Sequence, residues 1–137
     1  MKKGFACGMF DVFHPGHVLM LKECKEHCDY LMIGLNTAEN ISNEINPGKN
    51  KPIFSFEERK LVLSSCKYVD EIVKYTSEDE LIELLTNSNL DVRFLGDDYK
   101  GEKITGPDIP LHIHYIDRSH GYSTSKCLQW IREKETA

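Results

Sequence analysis

The chain has 137 residues, 40% of them hydrophobic and 28% charged, and 22 acidic against 17 basic residues give a formal net charge of −5. That length suits a single domain over residues 1–137 with a real core, and the balance is that of an ordinary soluble globule. The acidic excess argues against a general nucleic-acid binder, and no run of about 18 apolar residues exists to span a membrane.

The basic start Met1-Lys2-Lys3 is followed by only Gly4-Phe5-Ala6-Cys7-Gly8 before charged Asp11, too short an apolar region for export. Cys7, Cys24, Cys28, Cys66 and Cys127 form an odd set without a paired framework, as expected of reduced thiols in the cytoplasm. Cys24, His27 and Cys28 fall on one helical face. With no second ligand cluster they read as structural, and no resident metal site is expected.

Phe5 to Cys7 reads as a strand ending at Gly8, and His17 to His27 as a helix with Val18, Leu21 and Cys24 or Cys28 at helical spacing. The apolar run Tyr30 to Leu35 is that of a buried parallel strand. Asn36 to Lys51 is polar, holds the turn signal Asn46-Pro47-Gly48, and is the best candidate for a mobile loop. Ser55 with Glu58 forms a capping box opening a helix from Phe56 to Ser65, and Tyr68 to Val73 is a short strand. Ser77 with Glu80 opens the next helix, through Leu81, Ile82, Leu84 and Leu85. Val92 to Leu95 and Leu111 to Ile116 are further strands, and Ser123 to about Lys134 is the last helix. This alternation predicts a Rossmann-like three-layer α/β fold, with a mainly parallel sheet and helices on both faces. Such sheets bind ligands at the carboxyl ends of their strands, which directs attention to Gly8 through His17.

In that segment Gly8 lets the chain turn tightly towards a ligand, and Pro15 suits a first helical turn. Free N–H groups at the helix start attract phosphate, Gly16 leaves room for a close approach, and two imidazoles, His14 and His17, can donate to a triphosphate.

Gly8-x-Phe10-Asp11-x-x-His14-x-Gly16-His17 resembles the HxGH signature of the cytidylyltransferase-like nucleotidyltransferases. Arg118-Ser119-His120-Gly121-Tyr122-Ser123-Thr124-Ser125 is similar to that family's RTxGISTT segment. Glu58-Arg59-Lys60 and Lys67-Tyr68-Val69-Asp70-Glu71-Ile72 resemble its ER and RYVDEV blocks, so the matches run in order over nearly the whole chain. In length and layout the chain is most similar to the branch acting on glycerol 3-phosphate.

The resemblance implies transfer of CMP from CTP to a phosphorylated small molecule, with release of pyrophosphate and no covalent intermediate. His14 and His17 would stabilise the pentacoordinate transition state, and Arg118 would neutralise phosphate charge. Ser123 and Thr124 would bind the β- and γ-phosphates, with Gly8, Met9, Phe10, Asp11, Gly16, Gly121 and Tyr122 completing the nucleotide site. Gly96-Asp97-Asp98-Tyr99 matches a segment near ribose or base, which places Asp97 there. Lys49 or Lys51 would close on the phosphates. Arg59 would reach the acceptor's phosphate or stabilise the active-site loop, and Asp11 would also face the acceptor. Mg²⁺ is implied as the partner of the triphosphate, without a protein cage, and a homodimer through the Tyr68–Ile72 block.

The pattern departs at Met9, where a threonine is usual, at Lys67 for arginine, and at His120 and Tyr122 in the closing segment. Residues Ser77 to Leu85, Gly96 to Lys100 and Gly121-Tyr122-Ser123-Thr124 also resemble the nucleotidyltransferase domain of ADP-heptose synthases. Adenylyl transfer from ATP to a sugar phosphate is therefore the alternative reading, and a non-catalytic nucleotide-binding regulator of the same fold is a third, which His14, His17 and Arg118 disfavour.

Overall fold

A computed structural model describes residues 1–39 and 52–136. The apolar runs become β1 (Lys3–Gly8), β2 (Tyr30–Asn36), β3 (Glu71–Tyr75), β4 (Val92–Gly96) and β5 (His112–Ile116). Between and after them lie α1 (Pro15–Glu26), α2 (Phe56–Ser64), α3 (Glu78–Asn87), a 3-10 turn at Asp97–Tyr99, and α4 (Thr124–Thr136). The five strands form one parallel sheet in the order β3-β2-β1-β4-β5. Successive strands run leftward from β1 through β2 to β3, and the chain then crosses to β4 on the other side. The switch point therefore lies beside the carboxyl end of β1, where such sheets bind ligands.

Strict alternation along each strand divides the core between two faces. One face packs Ala6, Ile33 and Phe94 with Leu21 and Cys24 of α1 and Leu63 of α2. The other packs Phe5, Met32 and Tyr75 with Leu81 and Leu85 of α3. Cys24 and Cys28 are buried, Cys28 Sγ–H reaches the Cys24 carbonyl at 3.3 Å, and burial pushes both thiols up, which keeps them protonated and structural. No helix among the described residues is long and apolar enough to cross a membrane.

Two boundaries and one cap differ from expectation for identifiable reasons. The first helix starts two residues early, at Pro15, because His14 is its N-cap. The third strand begins at Glu71 and not at Tyr68. Asp70 Oδ2 accepts the Leu31 N–H at 2.8 Å and so stands in for a ladder partner, and regular pairing begins one residue later, with Met32 opposite Glu71. At α3, Ser77 Oγ accepts the Glu80 N–H at 3.1 Å as a cap should, but Glu80 reaches back to the Thr76 N–H at 3.0 Å. The box at Ser55 and Glu58 closes reciprocally, at 3.2 and 2.9 Å.

Candidate active site

The start of α1 is capped by its two histidines. His14 Nδ1 accepts the Gly16 N–H at 3.1 Å, and His17 Nδ1 accepts the His14 N–H at 3.1 Å, a reciprocal box made from imidazoles. A ring nitrogen that accepts carries no proton, so in the neutral form each ring bears its hydrogen on Nε2. Burial, then the charges of His14 and Arg118, push His17 down to about 4, with Asp11 opposing weakly. Burial, then His120 and Arg118, also hold His14 below the usual imidazole range. Both rings are thus neutral near pH 7, tautomerically fixed, and line one cavity of about 580 Å³. His14 Nε2–H donates to Thr124 Oγ1 at 3.4 Å, and that hydroxyl donates on to the Asp11 carbonyl, also at 3.4 Å.

Gly8 lines the cavity but does not make the tight turn expected of it: it is an ordinary strand terminus, and a Cβ there would meet only the Phe10 ring at 3.4 Å. The sharp turn is made instead by Phe10 and Val12, with φ of 49° and 47°. A bulky and a β-branched residue in the left-handed region store strain in the loop that carries the histidines. Gly16 lines the cavity and meets a further constraint there. A Cβ there would lie 2.8 Å from His14 Cε1 and 2.9 Å from Tyr122 Cβ, so its missing side chain is filled by protein.

The start of α4 faces the histidines. Ser123 is its N-cap, with Oγ accepting the Lys126 N–H at 3.1 Å, and Tyr122, Ser123 and Thr124 all line the cavity. Two helix N-termini thus open on one space, an arrangement that favours phosphate. Arg118 lines it too, tied only loosely to Asp98 at 3.7 Å in a pair that is half exposed on both sides. Asp97 lies behind, accepting the Arg118 N–H at 3.3 Å, and Gly121 makes the preceding turn at φ 80° without lining the cavity. His120, singled out in the sequence only as a departure, also lines it, and its Nδ1 accepts the Tyr122 N–H at 3.0 Å. The signal was its position, two residues ahead of the N–H that its ring accepts, the same offset as His14.

Arg59 corrects an expectation. It is 2% exposed and donates four hydrogen bonds to main-chain carbonyls: Phe54 (3.1 Å), Met9 (3.0 Å), Asn36 (2.7 Å) and Thr37 (3.3 Å). Of the two expected roles, the loop-stabilising one describes this geometry, and the guanidinium is not presented to an acceptor phosphate. Asp11 is placed similarly: 9% exposed, it accepts the Ile53 and Phe54 N–H groups at 2.7 and 3.1 Å and does not line the cavity. Met9 and Phe10 both line the cavity, Phe10 only 4% exposed and with its ring 5.4 Å from that of His17. Lys49 and Lys51 lie outside the described residues.

The cavity continues to the α3 side of the sheet, past Tyr75, Thr76, Glu78, Arg93, Lys103 and Thr105, none of which the sequence reading assigned to the site. Arg93 had a visible signal: a charged residue inside the apolar strand Val92–Gly96. The one group of described residues able to hold a metal by geometry, Glu23, His27 and His114, lies at α1 and β5 outside that cavity. There His114 Nε2 pairs with Glu23 Oε2 at 2.8 Å.

A family model described as cytidylyltransferase-like matches residues 5–129. The chain is 34% identical over 132 residues to glycerol-3-phosphate cytidylyltransferase of Bacillus subtilis, covering 96% of this chain and 98% of that protein. It is 36% identical over 129 residues to the bifunctional protein HldE of Campylobacter concisus, covering 94% of this chain and 27% of HldE, so it spans little more than a quarter of that relative. Among solved structures, the lipopolysaccharide core biosynthesis protein of Thermoplasma volcanium superposes with a TM-score of 0.67 at 29% identity. That match covers 85% of this chain and 96% of the other.

Proposed function

The chain belongs to the cytidylyltransferase-like family and is a nucleotidyltransferase, and we propose that it transfers CMP from CTP to glycerol 3-phosphate or a similar alcohol or sugar phosphate. The observation that carries this reading is the pair of neutral imidazoles, fixed as Nε2–H donors, in one cavity with Arg118 and the start of α4.

An oxygen of the acceptor's phosphate attacks the α-phosphorus in line. The new O–P bond forms as the bond to the bridging oxygen breaks, and pyrophosphate leaves with that electron pair. The acceptor oxygen is already anionic, so no general base is required. His14 and His17 donate to the non-bridging α-phosphate oxygens as charge gathers there, and being neutral and preorganised they add no reorganisation cost. Arg118, Ser123 and Thr124 take the β- and γ-phosphates. The phosphate end offers N–H and O–H donors and no lining carboxylate, which suits a Mg²⁺ held by the triphosphate and water, neutralising phosphate charge. Lys49 or Lys51 supplies a further cation to the phosphates.

The test is pyrophosphate release with CTP and ATP in parallel against glycerol 3-phosphate, choline phosphate, ethanolamine phosphate and sugar phosphates. Acceptor-dependent release with CTP supports the reading. The likeness to HldE favours a second reading, adenylyl transfer to a sugar 1-phosphate, and release with ATP alone would select it. The edge position of β3, together with exposed Leu61 and Val62 on α2, supports a homodimer, checked by sedimentation equilibrium. Five free thiols fit a reducing cytoplasm.

A further inference from the structure

Arg93 stands in β4 opposite Phe5 of β1, on the sheet face that packs against α3. It is 4% exposed, and its Nη1–H reaches the Thr105 carbonyl at 2.8 Å. Among the described residues no carboxylate pairs with it, and no other of its N–H groups has a hydrogen-bond partner. No side-chain nitrogen sealed from the surface there is left without a partner, so its remaining donors open onto the cavity they line. Glu78 is the one acid among the described residues that line this cavity, and its Oε1 is engaged by the Thr105 hydroxyl at 3.4 Å. Lys103 adds a second cation to the lining. A guanidinium held away from bulk water without an anion is costly, and a ligand that supplies one is strongly selected.

In-line displacement places the acceptor opposite the leaving pyrophosphate. With Arg118, Ser123 and Thr124 on the leaving side, the body of the acceptor extends towards α3. We propose that this end of the cavity is a subsite for a second oxyanion, a carboxylate or a further phosphate, carried by the acceptor at the end remote from its attacking phosphate and bound by Arg93. The inference rests on the transfer reading above and ranks its acceptors: a terminal hydroxyl accepts weakly from one arm of a planar fork of donors, whereas an oxyanion accepts from it in bidentate fashion.

The experiment is equilibrium titration of the full chain, with no turnover required, against three phosphomonoesters of similar length. Glycerol 3-phosphate ends in a hydroxyl, 3-phosphoglycerate in a carboxylate, and glycerol 1,3-bisphosphate in a phosphate. At least one oxyanion-ended compound is expected to bind about tenfold or more tightly than glycerol 3-phosphate, a charged hydrogen bond's worth. The two arms tell carboxylate from phosphate. Arg93→Met is expected to erase that advantage and to change glycerol 3-phosphate binding less than about twofold. If Arg93→Met does not fold, the wild-type ratio and a partial loss in Arg93→Lys decide. Equal or tighter binding of glycerol 3-phosphate overturns the subsite, as does an advantage that survives in Arg93→Met or no binding by any of the three. A preserved oxyanion preference without nucleotide transfer to any acceptor would overturn the transfer reading and leave the subsite standing.

Discussion

Replacing Arg59 by methionine keeps much of the side chain's apolar bulk and removes the donors that hold four carbonyls, those of Met9, Asn36, Thr37 and Phe54. These carbonyls belong to the exit of β1, the exit of β2 and the approach to α2, so one guanidinium ties three separate chain segments together. Hydrogen bonds to charged groups contribute about 1.5–3 kcal/mol each, and the four share one desolvated cation, so they do not add in full. A loss of about 4 kcal/mol is expected, a large part of the roughly 5–15 kcal/mol that holds a domain together. Arg59→Lys offers a point charge that reaches one or two of the four carbonyls and should recover about half of that loss. Urea unfolding followed by circular dichroism measures both, read from the midpoint at constant slope. A loss under about 1 kcal/mol, joined to a raised acceptor KM, would refute the reasoning and return Arg59 to the acceptor.

His17→Ala should lower kcat by about a hundredfold or more through loss of a preorganised donor, while the free energy of unfolding falls only by the worth of a helix cap, about 1 kcal/mol; near-normal pyrophosphate release by the folded variant would sink the assignment. Between the ordinary imidazole value and about 4, the unfolded chain binds a proton at His17 that the native chain refuses. Stability should therefore fall as the pH drops below about 6.5 and level off below about 4, by about 3 kcal/mol in total from this group. Chemical denaturation across that range in wild type and His17→Asn isolates the effect, and equal pH profiles would contradict it. Gly16→Ala should displace the His14 ring, because its Cβ would sit 2.8 Å from Cε1; a loss of nucleotide affinity is expected in a calorimetric titration, and unchanged affinity would mean that the ring is not held by this contact.

The fold was legible because every strand and helix is written in local pattern: buried parallel runs such as Tyr30 to Asn36, and capping residues at Ser55 and Ser77. The phosphate end was legible for the same reason, since its residues sit in two contiguous segments at helix starts, His14 to His17 and Arg118 to Thr124. What depended on residues far apart in the chain was not. Arg59 reaches carbonyls up to 50 positions away, and only the folded chain reveals where those four groups converge. Asp11 likewise looks like part of a binding motif, yet it braces the main chain at Ile53 and Phe54. The α3 side of the cavity escaped because its residues come from three separate segments with no shared spacing: Tyr75 to Glu78 at the β3–α3 junction, Arg93 in β4, and Lys103 to Thr105 before β5. The tautomers of His14 and His17 were equally invisible, because they follow from which ring nitrogen meets a backbone N–H.

Transfer of CMP is tested most directly by ³¹P NMR of the full chain with Mg²⁺, CTP and glycerol 3-phosphate, alongside an identical sample containing ATP. The account predicts that the CTP and phosphomonoester signals decline together, while pyrophosphate and a new pair of diphosphate resonances grow in equal amounts. Pyrophosphate without a diphosphate product, or a diphosphate product formed only with ATP, would contradict it.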